Sequence, residues 1–271
     1  MNRLTKILSD LKDNNKKALV AYLVAGDPDI SSTIELMNLF VESGVDVIEI
    51  GVPFTDPIAE GPIIQKAHDR ALKNNISLES IFSMVSEFRK HNNETPLVLM
   101  GYLNTFIFYK KLIEENNNNA IDSILVVDIP GELNLKDYGI HSPNINTISL
   151  ISPTTKINRI ESIAKNSTGF VYYVTLRGVT GASNLDVNEI SNNVEEIKKH
   201  ASVPTLAGFG IKSVEDAKLL SDCSDGIIIG SSIVQMIEES SKSKEFDRIG
   251  NYLTEIKKAI SWVSFKIYYL L

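Results

Sequence analysis

An α/β fold, built as a single (β/α)8 barrel, follows from three features of the sequence. Eight short apolar runs recur along the chain, each is followed by at least one segment with helical spacing, and neither a composition shift nor a linker divides the 271 residues. About 250 residues suffice for one such barrel. A doubly wound open sheet is the competing architecture.

Residues 4–11 place apolar side chains at helical spacing with Lys and Asp between them, an amphipathic helix ahead of the barrel. Residues 18–25 are a near-continuous apolar run stopped by Gly26-Asp27-Pro28, the pattern of a buried parallel strand and a turn. Ser31 or Ser32 can cap the next helix, which carries Ile34, Leu36, Met37 and Phe40 and ends near Gly44. Residues 47–51 form the second strand; helices follow over 63–73 and, capped by Ser77, over 78–91. The third strand spans 96–102 and is followed by a helix over 105–115 and a polar loop at 116–119. The fourth spans 123–127, ended by Asp128-Ile129-Pro130, and the fifth 146–151, ended by Ser152-Pro153. A helix over 156–166 leads to the sixth strand at 169–175. A helix over 187–200 precedes the seventh at 204–207, and one over 214–220 the eighth at 226–229. Helices then run through 252–260. Residues 1–262 are thus read as one TIM barrel catalytic domain with an extra N-terminal helix, and 263–271 (VSFKIYYLL) as an apolar tail without an assigned role.

Composition narrows the chemistry. At 43% hydrophobic and 23% charged residues the chain has the makeup of a soluble domain. A formal net charge of -7 argues against nucleic-acid binding through a general positive field, while backbone amides can still build a local anion site. One cysteine, Cys223, excludes an intrachain disulfide framework and a thiolate metal cluster. His68, His91, His141 and His200 lack metal-ligand spacing, none falls directly at an expected strand end, and lone histidines in helices are usually surface or packing residues. No lysine ends a strand, which counts against a Schiff-base aldolase. Gly208-Phe209-Gly210 lacks the further glycine of a dinucleotide site. With no secretory signal and no run of ~18 apolar residues, the expected setting is cytoplasmic and free of membrane.

Barrels of this kind carry their active sites at the carboxyl ends of the strands. The stretch Val47-Ile48-Glu49-Ile50-Gly51 puts a carboxylate inside an apolar run, and Pro53, Pro57 and Pro62 make the loop beyond it stiff. A buried Glu must find a partner, lose its charge or do chemistry; the competing reading pairs it with an arginine or with backbone amides. Glu60 on the following loop supplies a second acid, and two carboxyls at one mouth can divide donor and acceptor roles. Glu49 is the rigid member and Glu60 sits on a loop able to close over substrate, whereas Asp56 reads as a loop-capping or partner-contact residue. Asp27, Asn104, Asp128, Thr175 and Arg177 are further groups at strand ends. Gly208-Phe209-Gly210 after the seventh strand and Gly230-Ser231-Ser232 after the eighth suit a phosphate, with Thr180-Gly181 after the sixth able to add an amide. Turn glycines needed only for their backbone freedom are the alternative. Tyr22, Met100, Tyr102, Val127, Ile151, Tyr172 and Phe209 can wall a flat aromatic ligand or simply pack the barrel.

These motifs resemble the tryptophan synthase alpha chain family. The match runs through residues 49–57 (EIGVPFTDP), 61–65 (GPIIQ), 122–130, 178–182 (GVTGA), 208–211 (GFGI) and 230–234 (GSSIV), in order from the first helix to about Trp262. The resemblance implies retro-aldol cleavage of indole-3-glycerol phosphate to indole and glyceraldehyde 3-phosphate in tryptophan biosynthesis, with neither metal nor organic cofactor. It implies that the acid matching Glu49 is the general acid-base catalyst and that the one matching Glu60 holds the indole N–H. Residues matching Tyr22, Met100, Tyr102, Val127 and Phe209 would line the indole pocket, and those matching Gly181, Gly210, Gly230 and Ser231 would bind phosphate. The family works as an α2β2 complex with a pyridoxal-phosphate beta chain. This chain departs from the family pattern at Glu60, where Asp is usual, a change in reach of about 1.5 Å. A misplacement of that size can cost on the order of 10²-fold in rate. A second departure is Lys110, where the family often has Gly, in a segment that helps face the beta chain. Two other readings stay open at this level: a subunit that mainly activates a beta chain, and a stand-alone indole-releasing lyase.

Overall fold

A computed structural model describes residues 2–115, 120–175, 187–208, 210–211 and 213–261. Eight parallel strands close on themselves in sequence order: β1 (Ala18–Val24), β2 (Val47–Gly51), β3 (Leu97–Gly101), β4 (Ser123–Val126), β5 (Asn146–Ile151), β6 (Val171–Val174), β7 (Thr205–Gly208) and β8 (Gly226–Ile229). β8 pairs with β1, placing Ala18 opposite Gly226 and Ala21 opposite Ile229. The barrel reading therefore holds and the open sheet does not.

Side chains alternate between two apolar layers, as the strand period of two requires. Val20, Val47, Val98, Leu125, Phe170 and Leu206 fill the barrel interior. Leu19, Ile48, Leu99, Ile124, Val171 and Ala207 face outward into the helical ring. Helix Arg3–Asp13 buries Leu4, Leu8 and Leu11 and belongs to the interior cluster, so it closes the end of the barrel opposite the strand carboxyl ends. Burial of each leucine contributes roughly 1.5–3 kcal/mol. Asn2 caps this helix, accepting from the Leu4 amide at 2.8 Å and donating to the Asp122 carbonyl at 2.6 Å. The Asp122 carboxylate gathers the same end together. It accepts from the Leu97 amide at 2.9 Å, from Arg89 at 3.0 Å and from Arg3 at 3.2 Å.

Local details depart from the sequence expectations at three points. Asp29, not Ser31 or Ser32, caps helix Ile30–Glu42, its carboxylate accepting from the Ser32 amide at 2.7 Å. The expected helix over 105–115 is two short helices, Leu103–Phe108 and Lys110–Glu114, meeting at Tyr109. A short 3-10 helix, Leu135–Tyr138, ended by Gly139 at a φ of 74°, lies in what read as loop. The tail 263–271 and the polar run 116–119 lie outside the described residues. No helix among the described residues is long and apolar enough to cross a membrane.

Candidate active site

Glu49 occupies the third position of β2, opposite Tyr22 on β1 and Val98 on β3. It shares the inward face with Val47, two residues earlier. Only 1% of it is exposed, and its Oε1 has no hydrogen-bond partner. No arginine approaches it among the described residues, so the paired structural reading fails. Burial, and after it the Glu60 carboxyl, push the Glu49 carboxyl up to about 8. At neutral pH it therefore keeps its proton, as a general acid must.

Glu60 lies in the loop between β2 and helix Pro62–Lys73 and is 9% exposed. The Tyr102 hydroxyl donates to its Oε2, and the same phenol oxygen accepts from the Ala59 amide at 3.0 Å. Phe54 stacks on Tyr102 with ring centroids 4.5 Å apart. Gln65 donates from Nε2 to the Glu60 carbonyl at 2.9 Å. The loop expected to move is thus tied down in this structure. Burial raises the Glu60 carboxyl pKa and the Tyr102 hydrogen bond opposes the rise.

Two tyrosines narrow the mouth, and each needs a glycine on the next strand. A Cβ at Gly51 would lie 2.2 Å from the Tyr22 hydroxyl oxygen, and one at Gly208 would lie 2.1 Å from the Tyr172 ring. Both glycines are there because a ring lies over them. Burial raises both phenol pKa values, and the Glu49 charge adds to the rise in each. Met100 and Val127 pack on the interior cluster with Tyr172, and Met100 also touches the small cluster containing Tyr22.

Ile151 is the correction. It belongs to the outer layer, against the helices, while its neighbour Leu150 packs inward and pairs in register with Tyr172. A strand offset by one residue exchanges every side chain between faces. Asp27 is likewise spent on structure, in a two-point ion pair with Arg70 at 2.7 and 2.8 Å. Asp128 is exposed and accepts from the Leu103 amide at 2.8 Å, capping the helix that begins there. Asn104 and Asp56 are exposed.

Across the opening, β7 and β8 are neighbours, so the loops after them are adjacent. Gly230 precedes helix Ser231–Ser240, whose first turn presents free amides at the mouth. A Cβ at Gly210 would meet no described residue within 4 Å. Gly208 is buried beneath Tyr172. Thr180, Gly181, Phe209 and Arg177 lie outside the described residues.

One group escaped sequence reasoning. His68, 1% exposed, accepts the Phe54 amide at Nδ1 (3.0 Å) and lies 3.4 Å from the Tyr22 hydroxyl at Nε2. Its signal was its place on the buried stripe of its helix with Ala67 and Ala71.

Comparisons with known proteins show the family and its fold. The family model described as "Tryptophan synthase alpha chain" matches residues 8–261. The tryptophan synthase alpha chain of Nitrosomonas europaea is 42% identical over 264 residues, covering 96% of this chain and 96% of that protein. That of Neisseria meningitidis serogroup B is 41% identical over 268 residues, covering 96% and 100%. Among solved structures, the tryptophan synthase alpha subunit from Legionella pneumophila str. Paris superposes with a TM-score of 0.87 at 36% identity, covering 96% of this chain and 98% of that one. A chain from the tryptophan synthase a2b2 complex of Pyrococcus furiosus superposes with a TM-score of 0.80 at 34% identity, covering 89% and 98%. With a closed eight-stranded barrel, an unpaired acid at its mouth and full-length relatives of one kind, this chain belongs to the tryptophan synthase alpha chain family.

Proposed function

We propose that this chain performs the alpha reaction with Glu49 as proton shuttle and Glu60 as the acid that holds the heterocycle. The reaction, cleavage of indole-3-glycerol phosphate to indole and glyceraldehyde 3-phosphate, is that of its family. The observation that carries the assignment is the Glu49 carboxyl, buried and without a partner at Oε1, an environment that pushes its pKa up to about 8.

The chemistry follows from that proton. Glu49 delivers it to indole C3, and the positive charge that develops spreads to the ring nitrogen. The Glu60 carboxylate accepts the hydrogen bond from the ring N–H and balances this charge. The carboxylate left at Glu49 takes the proton from the side-chain hydroxyl. The O–H electrons become the aldehyde C=O bond, and the C–C electrons return to the ring and restore its aromaticity. The net change moves one proton from oxygen to carbon and leaves Glu49 protonated for the next turnover. Tyr22, Met100, Tyr102, Val127 and Tyr172 form the wall around the ring, and the amides of Gly210, Gly230 and Ser231 receive the phosphate.

Ile58 and Phe108 are 82% and 79% exposed and follow adjacent strands β2 and β3 at this mouth. We assign this rim to docking of a tryptophan synthase beta chain in an α2β2 complex, with the single catalytic domain over residues 1–262 working in the cytoplasm. The test is turnover of indole-3-glycerol phosphate by the purified chain, alone and with a beta chain, beside its Glu49→Gln variant. Cleavage that survives in Glu49→Gln, or none by wild type in either condition, overturns the assignment.

A further inference from the structure

The hydrogen bonds of His68 fix its tautomer. The Phe54 amide can only donate, so Nδ1 presents its lone pair and the ring proton sits on Nε2. Burial pushes the His68 pKa down to about 4, against a smaller opposing effect of Asp69, so the ring is neutral. The Nε2–H therefore donates to the Tyr22 oxygen 3.4 Å away. That leaves the tyrosine's own proton unspent, since its hydroxyl makes no other hydrogen bond among the described residues. The Tyr22 oxygen lies over Gly51, two positions beyond Glu49, and its charged neighbours are Glu60 and Glu49.

We propose that His68 is a positioning residue. By donating to Tyr22 it turns the tyrosine hydroxyl into a proton donor aimed at the space between Glu49 and Glu60, where it contacts an oxygen of the substrate's hydroxylated side chain. Through Nδ1 it also holds the Phe54 turn of the loop that carries Glu60. Tyr22 is then a specificity-determining residue that recognises an oxygen acceptor, besides being part of an apolar wall. An enclosed phenol whose proton finds no partner is costly unless the ligand supplies one.

This inference rests on the function proposed above, so its test has one arm that needs no turnover. In the full chain, nitrogen NMR of His68 should show the Nε2–H tautomer with no titration between pH 6 and 8, and Tyr22→Phe should shift the Nε2 resonance. An Nδ1–H tautomer or titration near neutrality overturns the proposal whether or not the chain is active. The second arm is steady-state kinetics of the wild type, Tyr22→Phe, His68→Leu and His68→Gln with indole-3-glycerol phosphate and a beta chain. Tyr22→Phe should lower kcat/KM about 3- to 10-fold, chiefly by raising KM, the effect of one neutral hydrogen bond. His68→Leu should lose at least as much in wild type and clearly less in a Tyr22→Phe background. His68→Gln, whose amide can accept from Phe54 and donate to Tyr22, should recover most of the loss. Equal losses from His68→Leu in both backgrounds, with no rescue by Gln, would reduce His68 to packing. A wild-type chain inactive towards this substrate would defeat the functional assignment while leaving the NMR arm to decide the tautomer.

Discussion

Glu49→Gln separates what this acid does for the reaction from what it costs the fold. Gln has the shape of the protonated carboxyl and never ionises. In the folded chain the Glu49 carboxyl rises to about 8 from an ordinary value near 4.5. Between these limits the folded state holds the proton and the unfolded state releases it, so stability falls as pH rises. Each pH unit in that window is worth about 1.4 kcal/mol. At pH 7, two and a half units above the ordinary value, this group alone has removed about 3 kcal/mol from the wild type. The Gln variant escapes the loss. Urea unfolding of both proteins at pH 5, 6, 7 and 8 should give curves within about 1 kcal/mol of each other at pH 5 and a widening gap above it, the variant being the more stable. The contributions of titrating groups far from Glu49 cancel in the difference, whereas that of Glu60, which is coupled to it, does not. A gap of constant size across that range would refute the reasoning, because it would mean that Glu49 is ionised in the folded chain at pH 5 already or that its proton is not coupled to folding.

The same proton sets the rate. For the wild type, kcat/KM should fall as pH rises through about 8, and Glu49→Gln should lower it by about 10²- to 10⁴-fold, measured by release of indole. Glu60→Asp shortens the reach to Tyr102 by about 1.5 Å and should lower kcat/KM, since the loop here is built around the longer side chain; a preserved value would show that the Tyr102 contact does not position the acid. Gly51→Ala forces a methyl against the Tyr22 phenol and should cost about 1–3 kcal/mol in chemical unfolding, with Tyr22→Leu in the same chain restoring much of it. At the opposite end of the barrel, Asp122→Ala strands Arg89 and should cost about 3–5 kcal/mol, while kcat of the folded fraction stays at the wild-type value.

The architecture was readable because each strand is an apolar run between turn residues, and that pattern survives without tertiary information. Faces were harder. Glu49 announces its face, because a carboxylate in the middle of β2 is tolerable only where chemistry or a partner awaits it. β5 makes no such announcement: Leu150 and Ile151 are both apolar, and the sequence alone does not say which of them looks inward. Register with β6 decides it in favour of Leu150. The hydrogen bonds of His68 are hard to read for a related reason. Its helix buries an alanine on either side of it, so the pattern describes a packing face, and only the turn at Phe54 and the phenol of Tyr22 give the imidazole its two bonds.

The glycines show how far apart the local and the long-range readings can lie. Gly51 read as the end of a strand and Gly208 as part of a phosphate loop. Each in fact makes room for a tyrosine from the preceding strand, Tyr22 over Gly51 and Tyr172 over Gly208. These two rings stand on β1 and β6, and both phenols are raised in pKa partly by the charge of Glu49. The acid owes its retained proton first to burial, among two phenol rings and an apolar floor with nothing bonding the bare Oε1, and then to the Glu60 carboxyl. A smaller residue at 22 or 172 should lower the Glu49 pKa towards its ordinary value even though neither tyrosine donates to it. The catalytic property belongs to the packing of strand pairs around the carboxyl, and that packing is set by which strands have room for a ring.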